Sequence, residues 1–289
     1  MTKQEFHTLT QKLILLDGAT GSNLMAAGMP RGVCTEAWIL ENKKILRDLQ
    51  KAYAFAGSQI IYAPTFGGNR VNLSLHGMEN RLRDLNLALV ALSREAVGTD
   101  VYVAGDITTT GKMMAPSGEL SYDTALEIYT EQIQCLSDAG VDLLVAETMI
   151  SIDETLAALD AASQVCALPI MCTMTVEADG SIFTGGGAVE AAMTLEAAGA
   201  DAVGINCSVG PDQLVSVIRS IRENVSIPVI AKPNAGMPHI SDTGQAIYDM
   251  KPEDFAAHME VLVQNGATII GGCCGTTPEF IRALAKKVR

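Results

Sequence analysis

The chain reads as an α/β protein, a (β/α)8 barrel in which eight parallel strands alternate with helices. Three observations predict it. Eight short apolar runs are separated by longer segments of helical periodicity. The runs are apolar on nearly every residue, as strands covered on both faces of a parallel sheet must be. The length of 289 residues suits one barrel domain over residues 1–289, with no linker or low-complexity tract.

The strands are expected, in order, at Leu13–Leu16, Gln59–Tyr62, Val101–Gly105, Asp142–Ala146, Pro169–Met174, Ala202–Asn206, Pro228–Ala231 and Thr268–Gly271. Between the third and fourth, Leu126, Tyr129, Ile133 and Leu136 recur at helical spacing. Val215, Ile218 and Ile221 do the same before the seventh. Four helices run out at Ala56-Gly57, Ala139-Gly140, Ala198-Gly199 and Asn265-Gly266, where a left-handed glycine can stop a helix. Units of roughly 30 residues are here a barrel rhythm rather than a solenoid repeat. The longest excursions, Gly18–Ala37 after the first strand and Asn234–Met250 after the seventh, fall on the carboxyl side, where barrels build their sites.

Composition narrows the function. Apolar residues make up 48% of the chain but aromatics only 4%, so the core must be aliphatic. A formal charge of -13 argues against a nucleic-acid partner, whose phosphates it would repel. No run approaches the about 18 apolar residues of a membrane span, so no membrane partner is expected. The start, Met1-Thr2-Lys3-Gln4-Glu5-Phe6-His7, lacks the apolar centre of a signal peptide, and the expected location is the cytoplasm. Seven cysteines, an odd number, fit reduced thiols or metal ligands better than a disulfide framework.

Asp17, Glu147, Cys207, Asn234 and the pair Cys273-Cys274 each follow a predicted strand. All of them therefore fall on the carboxyl-terminal face. The strands that carry cysteine, sixth and eighth, flank the seventh, so their ends can meet over one ion. Gly271, Gly272 and Gly275 permit the bend that aims two adjacent sulfurs at it. Cys207, Cys273 and Cys274 are thus the candidate ligands of a zinc ion, with the fourth position open to substrate. Cys135, Cys166 and Cys172 sit inside periodic segments and are expected to pack as small hydrophobes. Cys34, in the first long excursion, leans to a structural role.

Three thiolates leave zinc a poor activator of water and a good binder of another soft ligand. A small substrate thiol fits that position. Its ordinary pKa is about 8.5, coordination removes the proton, and the thiolate is the nucleophile. An activated methyl carbon would be its target. Asp17 either caps its loop's amides or holds an ammonium group. Glu147 ends a buried strand, where a charge needs a partner. The amides of Gly18, Ala19 and Thr20 can take a carboxylate. Asn234 is a turn residue, a substrate-orienting group or an oxygen for the zinc. Gly185-Gly186-Gly187 lacks the Lys-Ser or Lys-Thr of a phosphate loop and is read as a loop after the fifth strand. The four histidines show no ligand spacing, and His239 and His258 are expected on the surface or in loops.

The segments Asp17-Gly18-Ala19-Thr20-Gly21, Glu147-Thr148, Gly204-Ile205-Asn206-Cys207-Ser208, Pro233-Asn234-Ala235-Gly236 and Gly271-Gly272-Cys273-Cys274-Gly275-Thr276-Thr277-Pro278 resemble the homocysteine S-methyltransferase family. Within it, they are most similar to the homocysteine-binding barrels of cobalamin-dependent methionine synthases. The resemblance covers nearly the whole chain. It implies that Cys207, Cys273 and Cys274 bind Zn2+, that zinc binds the homocysteine thiolate, and that Asp17 and Glu147 hold the amino-acid end. Methionine is the implied product. A folate or cobalamin module and a long carboxyl-terminal extension are not expected after this barrel, and the methyl donor is expected from outside. Methylcobalamin or another corrinoid, on a separate corrinoid protein, is the preferred donor, and S-methylmethionine or S-adenosylmethionine the alternative.

Two segments depart from the family's pattern. Ala63-Pro64-Thr65-Phe66 replaces the usual Thr-Asn-Thr-Phe after the second strand. Gly105-Asp106-Ile107-Thr108-Thr109-Thr110-Gly111 replaces a usual Gly-Pro after the third. Both bear on which thiol is accepted and how the donor docks. Two other readings stay open: the same chemistry on another thiol or selenol, and a non-catalytic barrel subunit of a methyl-transfer complex whose zinc is structural.

Overall fold

A computed structural model describes residues 1–240 and 246–288. All eight expected strands join one parallel sheet. They are β1 (Ile14–Leu15), β2 (Ile60–Tyr62), β3 (Tyr102–Ile107), β4 (Leu143–Met149), β5 (Ile170–Met174), β6 (Ala202–Asn206), β7 (Val229–Lys232) and, after a short inserted hairpin, β10 (Ala267–Ile270). The hairpin, β8 (His239–Ile240) and β9 (Ala246–Ile247), is antiparallel. It lies within the second long excursion, of which residues 241–245 fall outside the described residues. The order across the sheet is β1-β10-β7-β6-β5-β4-β3-β2. The amide of Gln59 donates to the carbonyl of Leu15 at 2.7 Å, which joins the two outer strands and closes the ring.

The strands are apolar on both faces because both faces are covered. Ile14, Leu16, Ile60, Tyr62, Leu143, Val145 and Ile230 fill the barrel, and Phe6 of the leading helix Lys3–Leu9 packs on the same cluster. The alternate residues Leu15, Ile61, Leu144, Val203 and Val229 pack in the helical layer. This is the two-residue period of a strand. Each fully buried aliphatic side chain contributes roughly 1.5–3 kcal/mol.

The expected helical stripes are the inward faces of Tyr122–Asp138, which buries Tyr129, Ile133 and Leu136, and of Val215–Asn224, which buries Ile218 and Ile221. The four helix-ending glycines all have positive φ, from 77° at Gly140 to 117° at Gly57. None of the seven cysteines forms a disulfide. Cys34, Cys135 and Cys172 are buried, and Cys166 is half-buried. Among the described residues no helix is long and apolar enough to cross a membrane.

Three strands run beyond their expected ends. β3 continues through Asp106 to Ile107, β4 through Glu147 to Met149, and β7 to Lys232. These extensions carry charged residues over the top of the barrel core, so Glu147 sits within its strand rather than after it. The register of β4 on β5 shifts between Ala146 and Met149, where Thr148 has a φ of 58°.

Candidate metal and substrate site

The carboxyl-terminal ends of β6 and β10 bring three sulfurs together. The Sγ atoms of Cys207, Cys273 and Cys274 all lie within 4.8 Å of one another. Cys207 and Cys274 approach to 3.5 Å. Backbone stitching fixes them. The amide of Gly272 donates to Asp17 O at 3.0 Å, that of Cys273 to Pro233 O at 2.7 Å, and that of Ala235 to Cys274 O at 2.9 Å. Thr276 Oγ1 closes the turn by donating to Cys273 O at 2.7 Å. The turn needs glycine at Gly275, with a φ of 82°, because a Cβ there would stand 2.3 Å from Cγ of Tyr248.

The thiols compete for charge. Hydrogen bonds from Cys207 and Cys273 hold Cys274 down at about 3. The contacts with Cys273 and Cys274 push Cys207 far above the usual thiol range. Cys273 is lowered by Cys207 but raised more by Cys274 and burial, to about 11. The trio gives up one proton readily and resists losing the others until a cation arrives. Three soft sulfur donors at this separation fit zinc far better than magnesium or calcium, which take oxygen ligands.

Beside the sulfurs lies a second cluster, in which the expected Asp17 and Glu147 meet a lysine that the sequence reading did not single out. Lys232, the last residue of β7, is only 3% exposed. Its Nζ is 3.6 Å from Asp17 Oδ1, 3.8 Å from Glu147 Oε2 and 4.7 Å from the ring centre of Tyr62. Burial favours a neutral lysine, but Glu147 and Asp17 outweigh it and hold the ammonium charged. Asp17 is raised by burial against the pull of Lys232, and its Oδ2 accepts from the amide of Tyr62 at 2.8 Å. Burial lifts Glu147 to about 7, again against Lys232. Asp106 faces Glu147 and is raised well above the carboxylate range, first by burial and then by that neighbour's charge. Three carboxyl groups thus surround one ammonium.

A cavity of about 640 Å³ joins the two clusters. Asp17, Gly18, Ala19, Thr20, Glu147, Lys232, Cys207, Cys273 and Cys274 all line it. The amide of Ala19, one of three proposed to take a carboxylate, is engaged by Thr276 Oγ1 at 3.1 Å. Asn234 stands behind the wall. Its Nδ2 donates to Ser208 O at 2.8 Å, and its Oδ1 is buried without a partner.

The departing segments also reach the cavity, through Pro64, Phe66, Asp106, Thr108 and Thr109. Thr108 Oγ1 donates to Glu147 O at 2.8 Å. The glycine run after β5 leads into the helix Ala188–Ala197 and does not line the cavity. His239 is exposed and pairs with Asp249 at 3.2 Å, whereas His258 lies half-buried on the helix Pro252–Gln264.

Lys232 and Asp106 carried the same signal that marked Glu147, a charge at the end of an apolar run. In Ala231-Lys232-Pro233 and Gly105-Asp106-Ile107 the predicted strand stopped one residue short of it. Asn206 is a third missed residue. Its side chain donates to Thr148 Oγ1 at 2.8 Å and to Glu147 Oε2 at 3.3 Å, so it ties the carboxylate–lysine side of the cavity to the residue before Cys207.

Comparison with known proteins agrees with this geometry. Methionine synthase of Mycobacterium tuberculosis (strain ATCC 25618 / H37Rv) is 30% identical over 298 residues, and that of Mycobacterium leprae (strain TN) 28% over 299. Each alignment covers 97% of this chain but only 25% of the relative, so the chain spans a quarter of their length. Among solved structures, the homocysteine methyltransferase MmuM from Escherichia coli in its oxidized form has a TM-score of 0.82 at 21% identity, covering 99% of this chain and all of that one. Its metallated form has a TM-score of 0.80 at 22% identity, covering 99% of each. These two share the fold. The sequence profile described as Homocysteine S-methyltransferase matches residues 14–288, and the chain belongs to that family.

Proposed function

We propose that this barrel transfers a methyl group to the thiol of homocysteine, giving methionine. The observation that carries this reading is the junction of three convergent sulfurs and a buried carboxylate–lysine cluster in one cavity. Cys207, Cys273 and Cys274 would hold zinc. When bound, zinc supplies a Lewis-acid centre that keeps a substrate thiol ionised at neutral pH.

The chain's own groups do the rest. Asp17 and Glu147 bind the substrate ammonium, and Lys232 holds both carboxylates in place between them. The cavity positions the sulfur so that it meets the methyl carbon in line. The new carbon–sulfur bond forms as the donor's bond to that carbon breaks, and the bonding pair leaves with the donor. A methylated corrinoid on a separate protein is the proposed donor. The exposed side chains of Phe66, Leu75 and Val33 at the cavity support docking of a large, partly apolar donor.

The test is methionine formation by the zinc-loaded protein from homocysteine with methylcobalamin, S-methylmethionine and S-adenosylmethionine in parallel. Turnover with methylcobalamin supports the corrinoid donor, and turnover with a sulfonium alone replaces it. No methionine from any donor, by protein that binds zinc, overturns homocysteine methylation.

A further inference from the structure

Asp106 does little for the fold through its side chain. The backbone around it is already fixed, because its amide donates to Thr65 Oγ1 at 3.0 Å and Thr65 Oγ1 donates to its carbonyl at 2.8 Å. Asp106 is 4% exposed; its carboxyl shares a hydrogen bond with that of Glu147, and Oδ1 meets no amide, hydroxyl or ammonium donor. Lys232 pairs with Asp17 and Glu147, and no lysine or arginine among the described residues pairs with Asp106. Yet Asp106 lines the cavity beside Glu147. Burial and Glu147 keep that carboxyl protonated while Lys232 is the one cation near it among the described residues, and a second cation entering the cavity would let it ionise.

We propose that Asp106 is a specificity-determining residue, a third carboxylate that binds the ammonium group of the acceptor with Asp17 and Glu147. This rests on the amino-acid thiol reading above and deepens it. The cavity then selects a thiol that carries a primary ammonium against one that does not. The physical reason is the count of charges. One ammonium, Lys232, faces three carboxyl groups. The sulfurs add further negative charge on the other side of the cavity. A thiol bringing only a carboxylate meets repulsion there, whereas one bringing an ammonium relieves it.

The experiment is calorimetric binding of two thiols to the zinc-loaded protein: homocysteine and 4-mercaptobutanoate, which is the same chain without the amino group. It is run on wild type, Asp106→Asn and Asp106→Ser, with zinc content measured in each. The wild type is expected to prefer homocysteine strongly. Both variants should keep their zinc and lose roughly tenfold of that preference, through weaker homocysteine binding with little change for the amine-free thiol. A preference unchanged in both variants overturns the role of Asp106, as does an equal loss for both thiols. A wild type that binds both thiols equally well, or neither, overturns instead the amino-acid reading on which the proposal rests.

Discussion

Asn206 grips Thr148 from two sides. Its Nδ2 donates to Thr148 Oγ1 and its Oδ1 accepts from the amide of Thr148, both at 2.8 Å. Thr148 needs such a grip, because its φ of 58° is a conformation that a β-branched residue rarely adopts. The same carboxamide accepts from Thr173 Oγ1 at 2.8 Å. Through this one side chain the backbone after Glu147 and the backbone before Cys207 share a geometry.

Asn206→Ala should therefore lower unfolding stability by roughly 3 kcal/mol, from unsatisfied buried groups and an unsupported left-handed threonine. The denaturant midpoint of the metal-free protein reads it. Homocysteine affinity should fall as well, since Glu147 loses a donor. An unchanged midpoint would show that Thr148 holds its conformation without help.

The sulfurs should separate cleanly from the other cysteines. Cys207→Ala, Cys273→Ala and Cys274→Ala are each expected to lose most bound zinc on dialysis, and turnover with it, because two remaining thiolates close no site. Cys135→Ala and Cys172→Ala should keep one zinc per chain. Elemental analysis decides, and full retention by Cys207→Ala would remove it from the ligand set.

The convergence of the three sulfurs was legible in the sequence because strand order alone put Cys207 and Cys273-Cys274 at one barrel mouth, while the buried Cys135 and Cys172 lay in periodic runs. The eight strands were legible for the same reason: interior residues such as Ile14 and Leu143 and their outward neighbours Leu15 and Leu144 are all apolar. Lys232 carried a signal too, a charge at the end of an apolar run, but its partners were not legible. Its place depends on closure of the ring, which sets the top of β7 beside β1 and β4 residues distant in sequence. The inserted β8–β9 pair was missed because two-residue strands carry no periodic signal.

Lys232→Met should be among the most damaging single substitutions. It leaves Asp17 and Glu147 buried without the cation that pairs with them among the described residues, a loss of about 3–5 kcal/mol at neutral pH. The triple variant with Asp17→Asn and Glu147→Gln should recover much of that stability while failing to bind homocysteine. Chemical denaturation of the two variants, measured alongside wild type, gives the comparison. No recovery in the triple variant would mean that packing, not charge, made Lys232 indispensable.

Glu147 gives stability a pH dependence of definite sign. Its carboxyl group moves from an ordinary value of 4.5 to about 7 in the fold, by burial. Between those values the folded state holds a proton that the unfolded chain has released. The contribution is therefore fully present below 4.5 and is lost as pH rises towards 7. A single group gives a slope of at most about 1.4 kcal/mol per pH unit. The metal-free wild type, measured against Glu147→Gln across this window, should show the larger decline with rising pH. Equal slopes would place the raised titration elsewhere.

Glu154 anchors the segment after β3 that departs from the family's pattern. It is fully buried, and it accepts from Thr109 Oγ1 at 2.6 Å, from Thr110 N and Oγ1 at 2.7 Å each, and from Tyr129 OH at 2.9 Å. These four bonds leave the carboxylate well satisfied, and they fix the loop that presents Thr108 and Thr109 to the cavity. Glu154→Gln keeps the volume and can keep its oxygen towards Thr110 and Tyr129, but its NH2 group then faces the Thr109 hydroxyl, which must turn from donor to acceptor. The expected cost is about 2–3 kcal/mol, from charge-assisted bonds weakened and the Thr109 bond reversed. Zinc content should not change, because no part of this network touches β6 or β10. Homocysteine binding should weaken as Thr108 loosens its bond to the Glu147 carbonyl. A Glu154→Gln protein with wild-type stability would show that the loop is held by packing around Tyr129 rather than by the carboxylate.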